Sequence, residues 1–199
     1  MNKESIKRMS HLIERLNSKP LMLVLLLAAV GFFWLFNFSA LPFSNPELTK
    51  LSGGEGLLDL MLYYSAEEAF TALNHYGVAG RELYVRFLAA DFIFIGVYSL
   101  GFALLMMRTV RAVCSESSTW RWLNILPLGI GLFDSMENLS ILGMLALYPD
   151  ASVGLGTLSG VFTLCKHLLT LTALLALGYG GLVLLLRKLG FKLCAGCQH

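Results

Sequence analysis

Long apolar blocks separated by short polar stretches set the pattern of this chain, and four blocks are long enough to cross a membrane. A spanning helix needs about 20 mainly apolar residues, given a hydrocarbon core of ~30 Å and ~1.5 Å of rise per residue. Leu21 to about Leu41 meets this without a charge, and Phe87 to Met107 carries only Asp91. Leu123 to Leu147 carries Asp134 and Glu137, and Leu155 to Leu186 carries Lys166 and His167. The fourth block is long enough to tilt or to project beyond the bilayer. The pattern predicts an all-α polytopic membrane protein, a bundle of four transmembrane helices.

The intervening stretches predict smaller elements. In residues 3–16 Ile6, Met9, Ile13 and Leu16 fall at helical spacing, with Lys7, Arg8 and Arg15 elsewhere. Two readings follow: an amphipathic helix on an anionic leaflet, or a disordered basic tail that only fixes topology. Residues 42–56 are rich in Gly, Pro, Ser and Asn and read as loop. Ser65 followed by Glu68 is a capping-box pattern, Gly77 is a stop, and Ala69, Phe70, Leu73 and Tyr76 share one face, so a short interfacial helix is expected over 65–76. Gly77 and Gly80 are expected to let the chain turn sharply into the second span. The domains are then a basic tail (1–20), one membrane domain (21–186, with an outer loop over 42–86) and a second tail (187–199).

Composition agrees: 56% of the 199 residues are hydrophobic and 14% charged, against about a quarter charged in soluble domains. Basic residues set orientation, because they favour the cytoplasmic side of short loops. Lys3, Lys7, Arg8, Arg15, Lys19, Arg108, Arg111, Arg121, Arg187, Lys188 and Lys192 fall on one side, and only Lys50, Arg81 and Arg86 on the other. The expected location is therefore integral to a membrane, a bacterial inner (plasma) membrane, with both termini cytoplasmic. The surplus of +2 reads as topology, with no nucleic-acid partner. The first span is read as an uncleaved anchor, since its apolar block exceeds the ~7–15 residues of a signal peptide.

No disulfide framework is expected, since Cys114, Cys194 and Cys197 fall on the reducing side and Cys165 lies within a span. The tail Cys194-x-x-Cys197 with His199 offers three ligands where structural zinc takes four, so no metal and no cofactor is assigned. H-E-x-x-H, G-x-S-x-G, P-loop and dinucleotide fingerprints are missing from the sequence. His11, His75 and His199 are too scattered for a haem pair.

The polar residues inside the spans carry the candidate chemistry, because charge within a bilayer is costly and turns toward a protein interior with partners. Asp134, Glu137 and Asn138 lie at i, i+3 and i+4 on one helical face. Ser159, Thr163, Lys166, His167 and Thr170 make a stripe on the fourth span, and Asp91 and Tyr98 share a face of the second. Counted at ~1.5 Å per residue from the predicted outer ends, Glu137, Lys166 and Tyr98 meet about 15–16 Å deep. Asp134 falls ~5 Å deeper and Asp91 ~10 Å nearer the outside on the same count, which predicts a polar path from outer face to mid-membrane. The ligand or proton site is therefore read as Asp134, Glu137, Asn138, Lys166, Asp91, Tyr98, Thr163 and His167, with Arg81, Tyr84 and Arg86 at its entrance. A divalent cation on Asp134, Glu137 and Asp91 would compete with Lys166.

Taken in order, Gly80-Arg81-x-x-Tyr84, Asp91, Tyr98, Leu126-Pro127, Asp134-x-x-Glu137-Asn138 and Thr163-x-x-Lys166 resemble the pattern of a family of small four-span membrane proteins of uncharacterised function, over roughly residues 57–186. The position after the lysine is aromatic in that pattern and is His167 here. The resemblance implies that these charged positions belong together, and it carries no activity.

Three functions fit the residues. One is binding of a lipid or small polar or zwitterionic molecule, or proton-coupled transport, at the buried centre. Another is a structural or regulatory subunit, self-associated or with a partner subunit, whose ion pair aligns helices. The last is a lipid-modifying enzyme using a carboxyl as acid or base. Membrane lipids are partners in all three.

Overall fold

The computed structural model describes residues 3–115 and 118–191, and Cys194, Cys197 and His199 lie outside them. The described chain is helical: α1 (Lys3–Arg15), α2 (Lys19–Phe38), α3 (Asn45–Leu51), α4 (Ala66–His75), α5 (Gly77–Val113), α6 (Leu126–Leu147) and α7 (Val153–Lys188), with 3-10 turns at Leu58–Leu60 and Thr119–Ile125. Four of these segments are long and apolar enough to cross a membrane. α5 has 37 residues and α7 has 36, about 55 Å each and longer than the ~30 Å core requires.

The local signals that start the helices are legible. Ser18 caps α2 through its hydroxyl, with Pro20 in the first turn where a missing N–H costs nothing. At α4 both halves of the capping box form: the Ser65 hydroxyl accepts from Glu68 N–H, and the Glu68 carboxylate accepts from Ser65 N–H at 2.7 Å. Pro127 opens α6 and does not bend it, because a 3-10 segment ends at Ile125. The turn from α4 into α5 falls on Gly77 alone (φ +60°). Gly80 is helical and serves packing, since a Cβ there would lie 2.9 Å from Tyr76 Cβ.

One expectation changes, and one open alternative is decided. Residues 42–56 are not all loop: Ser44 and Pro46 start α3, which buries Leu48 completely. The Pro that reads as a breaker inside a helix is a starter at its first turn. Residues 3–15 form a helix and are not a disordered tail. α1 packs on the Thr119–Ile125 turn and on α5, burying Ile13. Asn124 donates to Ser10 Oγ at 3.0 Å, and Arg111 lies 2.7 Å from Glu14.

α6 packs along α7 and α5, and α2 packs on α5, leaving α2 and α7 without extensive mutual contact. α1 and the last turn of α7 lie at the same end of the molecule, since α1 meets the last turns of α5 and Arg187 donates to Ala112 and Val113 carbonyls there. At the opposite end the segment 39–76 folds inward and forms the largest apolar cluster, in which Leu48, Leu58, Tyr64, Leu73, Tyr84, Leu88, Ile141 and Met144 are almost fully buried. Its backbone is tied by Leu57 N–H to Asn45 Oδ1 (3.0 Å) and by Tyr76 O–H to the Gly56 carbonyl (2.6 Å). This inward fold positions the site.

Candidate functional site

The cluster is built from four pieces of chain. α6 turns one face inward, so Asp134, Glu137 and Asn138 are all buried. α7 brings Ser159, Thr163 and Lys166 along a facing stripe, and α5 brings Asp91 and Tyr98. The inward segment adds two residues that sequence reasoning missed, Asp59 from the 3-10 turn and Tyr64 beyond it.

Lys166 Nζ is the hub. It lies 2.9 Å from Asp134 Oδ1 and 2.7 Å from Glu137 Oε2, and it is bonded to Asp59 Oδ1. Each acid has further partners. Glu137 Oε1 accepts from Thr163 Oγ1 at 2.6 Å and from Tyr64 O–H at 3.1 Å, while the Tyr64 oxygen also lies 2.6 Å from Ser159 Oγ. Asp134 Oδ2 accepts from Tyr98 O–H at 2.7 Å, and Asp91 Oδ2 accepts from Asn138 Nδ2 at 2.7 Å. Burial, then the Glu137 charge, pushes the Tyr64 phenol far above its ordinary range, so it stays a neutral donor.

The expected path from outer face to mid-membrane is instead a compact cluster. Carboxyl oxygens of Asp59, Asp91 and Asp134 lie within 4.8 Å of one another. Depth counted from Phe87 misleads because α5 begins at Gly77, so Phe87 is not an end, and Asn138, one turn along α6 from Asp134, reaches Asp91. Of the remaining expected residues, His167 Nδ1 pairs with the Thr163 carbonyl at 2.8 Å, and His167 borders the cluster. Arg81 donates to the Leu73 carbonyl at 2.9 Å and stacks 3.9 Å from the Tyr148 ring centre. Arg86 is exposed beside Glu82. The structure does not bring either arginine to the cluster, and Tyr84 is wholly buried within the apolar core.

On one side the cluster opens into a cleft of about 480 Å³ between α2 and α7. Leu26, Ala29, Val30 and Phe33 of α2 and Phe94 and Phe102 of α5 make apolar walls, and Asp59, Asp134 and Lys166 make the polar end. The arrangement combines an apolar slot with a cation and acids at its inner end, as an amphiphile would require.

Oxygen donors outnumber every other type at the cluster, so any metal suited to it is a hard cation. No family model, curated protein or solved structure matches the chain.

Proposed function

We propose that this chain is an integral membrane protein that binds an amphipathic ligand, a membrane lipid or similar molecule with a polar or zwitterionic head. The ligand enters sideways between α2 and α7, and its head meets Lys166, Asp134 and Asp59. The carrying observation is the cleft itself: apolar walls ending on the charged groups, between two helices that do not pack together. The proposed setting is a plasma membrane, with both chain ends on the cytoplasmic side, supported by the one-sided basic residues at the end where α1 and α7 terminate. α4 then lies at the opposite, outer interface.

Magnitudes favour binding over mere helix alignment. One buried carboxyl is enough to pair Lys166, yet four are present, Asp59, Asp91, Asp134 and Glu137. Each further acid at mid-membrane costs about 2.5–3.5 kcal/mol on insertion scales, and a polar contact between membrane helices returns only ~0.6 kcal/mol on average. The structural reading has its own support, since Lys166 is already surrounded by acids.

Native mass spectrometry of the detergent-purified protein separates the two readings. Under the binding reading a lipid is retained by the wild type. It is lost in Glu137→Gln and Lys166→Met, and also in Ala29→Trp, which fills the cleft without touching a charge. An empty wild type, or retention unchanged in Ala29→Trp, would defeat the proposal. Full cellular activity in the charge-neutral Glu137→Gln, Lys166→Met double variant would establish the aligning role. A retained lipid that changes mass during incubation would point to an enzyme.

A further inference from the structure

Asp59 changes the charge balance read from the sequence. With it, among the described residues four carboxyl groups face one amine and no arginine reaches the cluster: Arg81 and Arg86 are engaged elsewhere. Lys166 does not reach all of the acids. It contacts Asp59, Asp134 and Glu137, while Asp91 is held only by the Asn138 amide among the described residues.

Beside Asp91 an independent feature points to a missing partner. Asn138 is 0% exposed, and its Oδ1 accepts no hydrogen bond among the described residues, although its Nδ2 is anchored 2.7 Å from Asp91 Oδ2. The two atoms belong to one small amide, so the unpaired carbonyl oxygen lies within an amide's width of the bond to Asp91. A buried acceptor left unpaired has lost its hydration with nothing in return, and native structures rarely leave one so without a ligand or water. The hydroxyl of Tyr84, also 0% exposed, is a second group without a hydrogen-bond partner among the described residues.

We propose that Asp59, Asp91 and Asp134, with the Asn138 carbonyl oxygen, bind a hard divalent cation of the Ca²⁺ or Mn²⁺ class. The spacing fits, because oxygens sharing an ion at about 2.3–2.6 Å lie within ~5 Å of one another, and these acids offer oxygens within 4.8 Å. The donor set fits too: carboxylate and amide oxygens with no thiol or imidazole among them select hard cations over zinc or copper. Lys166 contacts one oxygen each of Asp59 and Asp134, so it competes with the cation for those two acids, while Asp91 and Asn138 lie outside its contacts. The inference stands on the acids and the unpaired amide, not on the lipid reading, so either can fail alone.

The test uses the full chain in detergent, stripped with a chelator and titrated calorimetrically with MnCl₂, CaCl₂ or MgCl₂ at constant ionic strength, with thermal unfolding read alongside. The expected result is saturable binding of about one Mn²⁺ or Ca²⁺ per chain with a raised unfolding temperature. Asp91→Asn and Asn138→Leu should weaken binding at least tenfold, and Lys166→Met should tighten it although that variant loses retained lipid. Lack of saturable binding by the wild type would overturn the proposal. So would binding unchanged in both Asp91→Asn and Asn138→Leu, or equal stabilisation by NaCl.

Discussion

Replacing Gly160 by alanine should lever the inward segment off α7. Tyr64 crosses α7 so closely that a Cβ on Gly160 would fall on its carbonyl oxygen, and a Cβ on Gly156 would lie 2.7 Å from Ala66 Cα. Both obstacles are backbone, which cannot rotate aside, so the segment must shift. Overpacking of this kind costs about 1–3 kcal/mol. The shift also pulls the Tyr64 hydroxyl from Glu137 and Ser159, adding about 1–3 kcal/mol for buried groups left unpaired. For a chain of this size the sum lowers the unfolding temperature by about 4–24 °C, at ~2–4 °C per kcal/mol. The matched control is Gly96→Ala in α5, where nothing lies within 4 Å and alanine gains about 0.5–1 kcal/mol of helix propensity. The assay is tryptophan-fluorescence unfolding in detergent, with limited proteolysis over residues 52–66. Equal melting of Gly160→Ala and Gly96→Ala, with no new cleavage in that segment, would refute the close approach and with it the route by which Asp59 enters.

Two further predictions concern the ends of the molecule. The Ser65 N–H, and after it the Ser65 hydroxyl, hold the Glu68 carboxyl below its ordinary value of 4.5, so the charged form stabilises the fold. That contribution is complete above about pH 4.5 and is lost as pH falls through the lower folded value. Glu68→Gln should therefore lose less stability than the wild type over that acid window, and identical pH profiles in unfolding experiments would contradict the capping box. At the other end, Asn124→Ala removes the amide that donates to Ser10 Oγ, loosening α1 by about 1–2 kcal/mol. Amide exchange over residues 9–15 should accelerate about 5–30-fold while α6 is unchanged; uniform acceleration along the whole chain would mean that α1 does not dock as a separate unit.

What the sequence determined by itself is set by periodicity and length, which act locally. Runs of apolar residues longer than a bilayer needs specify four long helices whatever they pack against. Ser65 and Glu68 specify the start of α4 through bonds spanning three residues. The i, i+3, i+4 spacing of Asp134, Glu137 and Asn138 puts them on one face, the stripe on α7 adds Thr163 and Lys166, and Asp91 and Tyr98 share a face of the second span, so most of the site was legible. Tertiary structure alone decided the rest. Asp59 and Tyr64 reach partners 107 and 73 residues away, from the short apolar stretch 57–64, whose local pattern does not say what it packs against. Their position depends on α7 being bare enough to be crossed. The Gly156-x-x-x-Gly160 spacing is the sequence signal for such a close approach, but it does not say which backbone will use it. Nor does one-dimensional depth counting say that Asp91 and Asp134 converge, because that depends on where α5 begins and on how α5 and α6 pack together, and neither is written in any single apolar run.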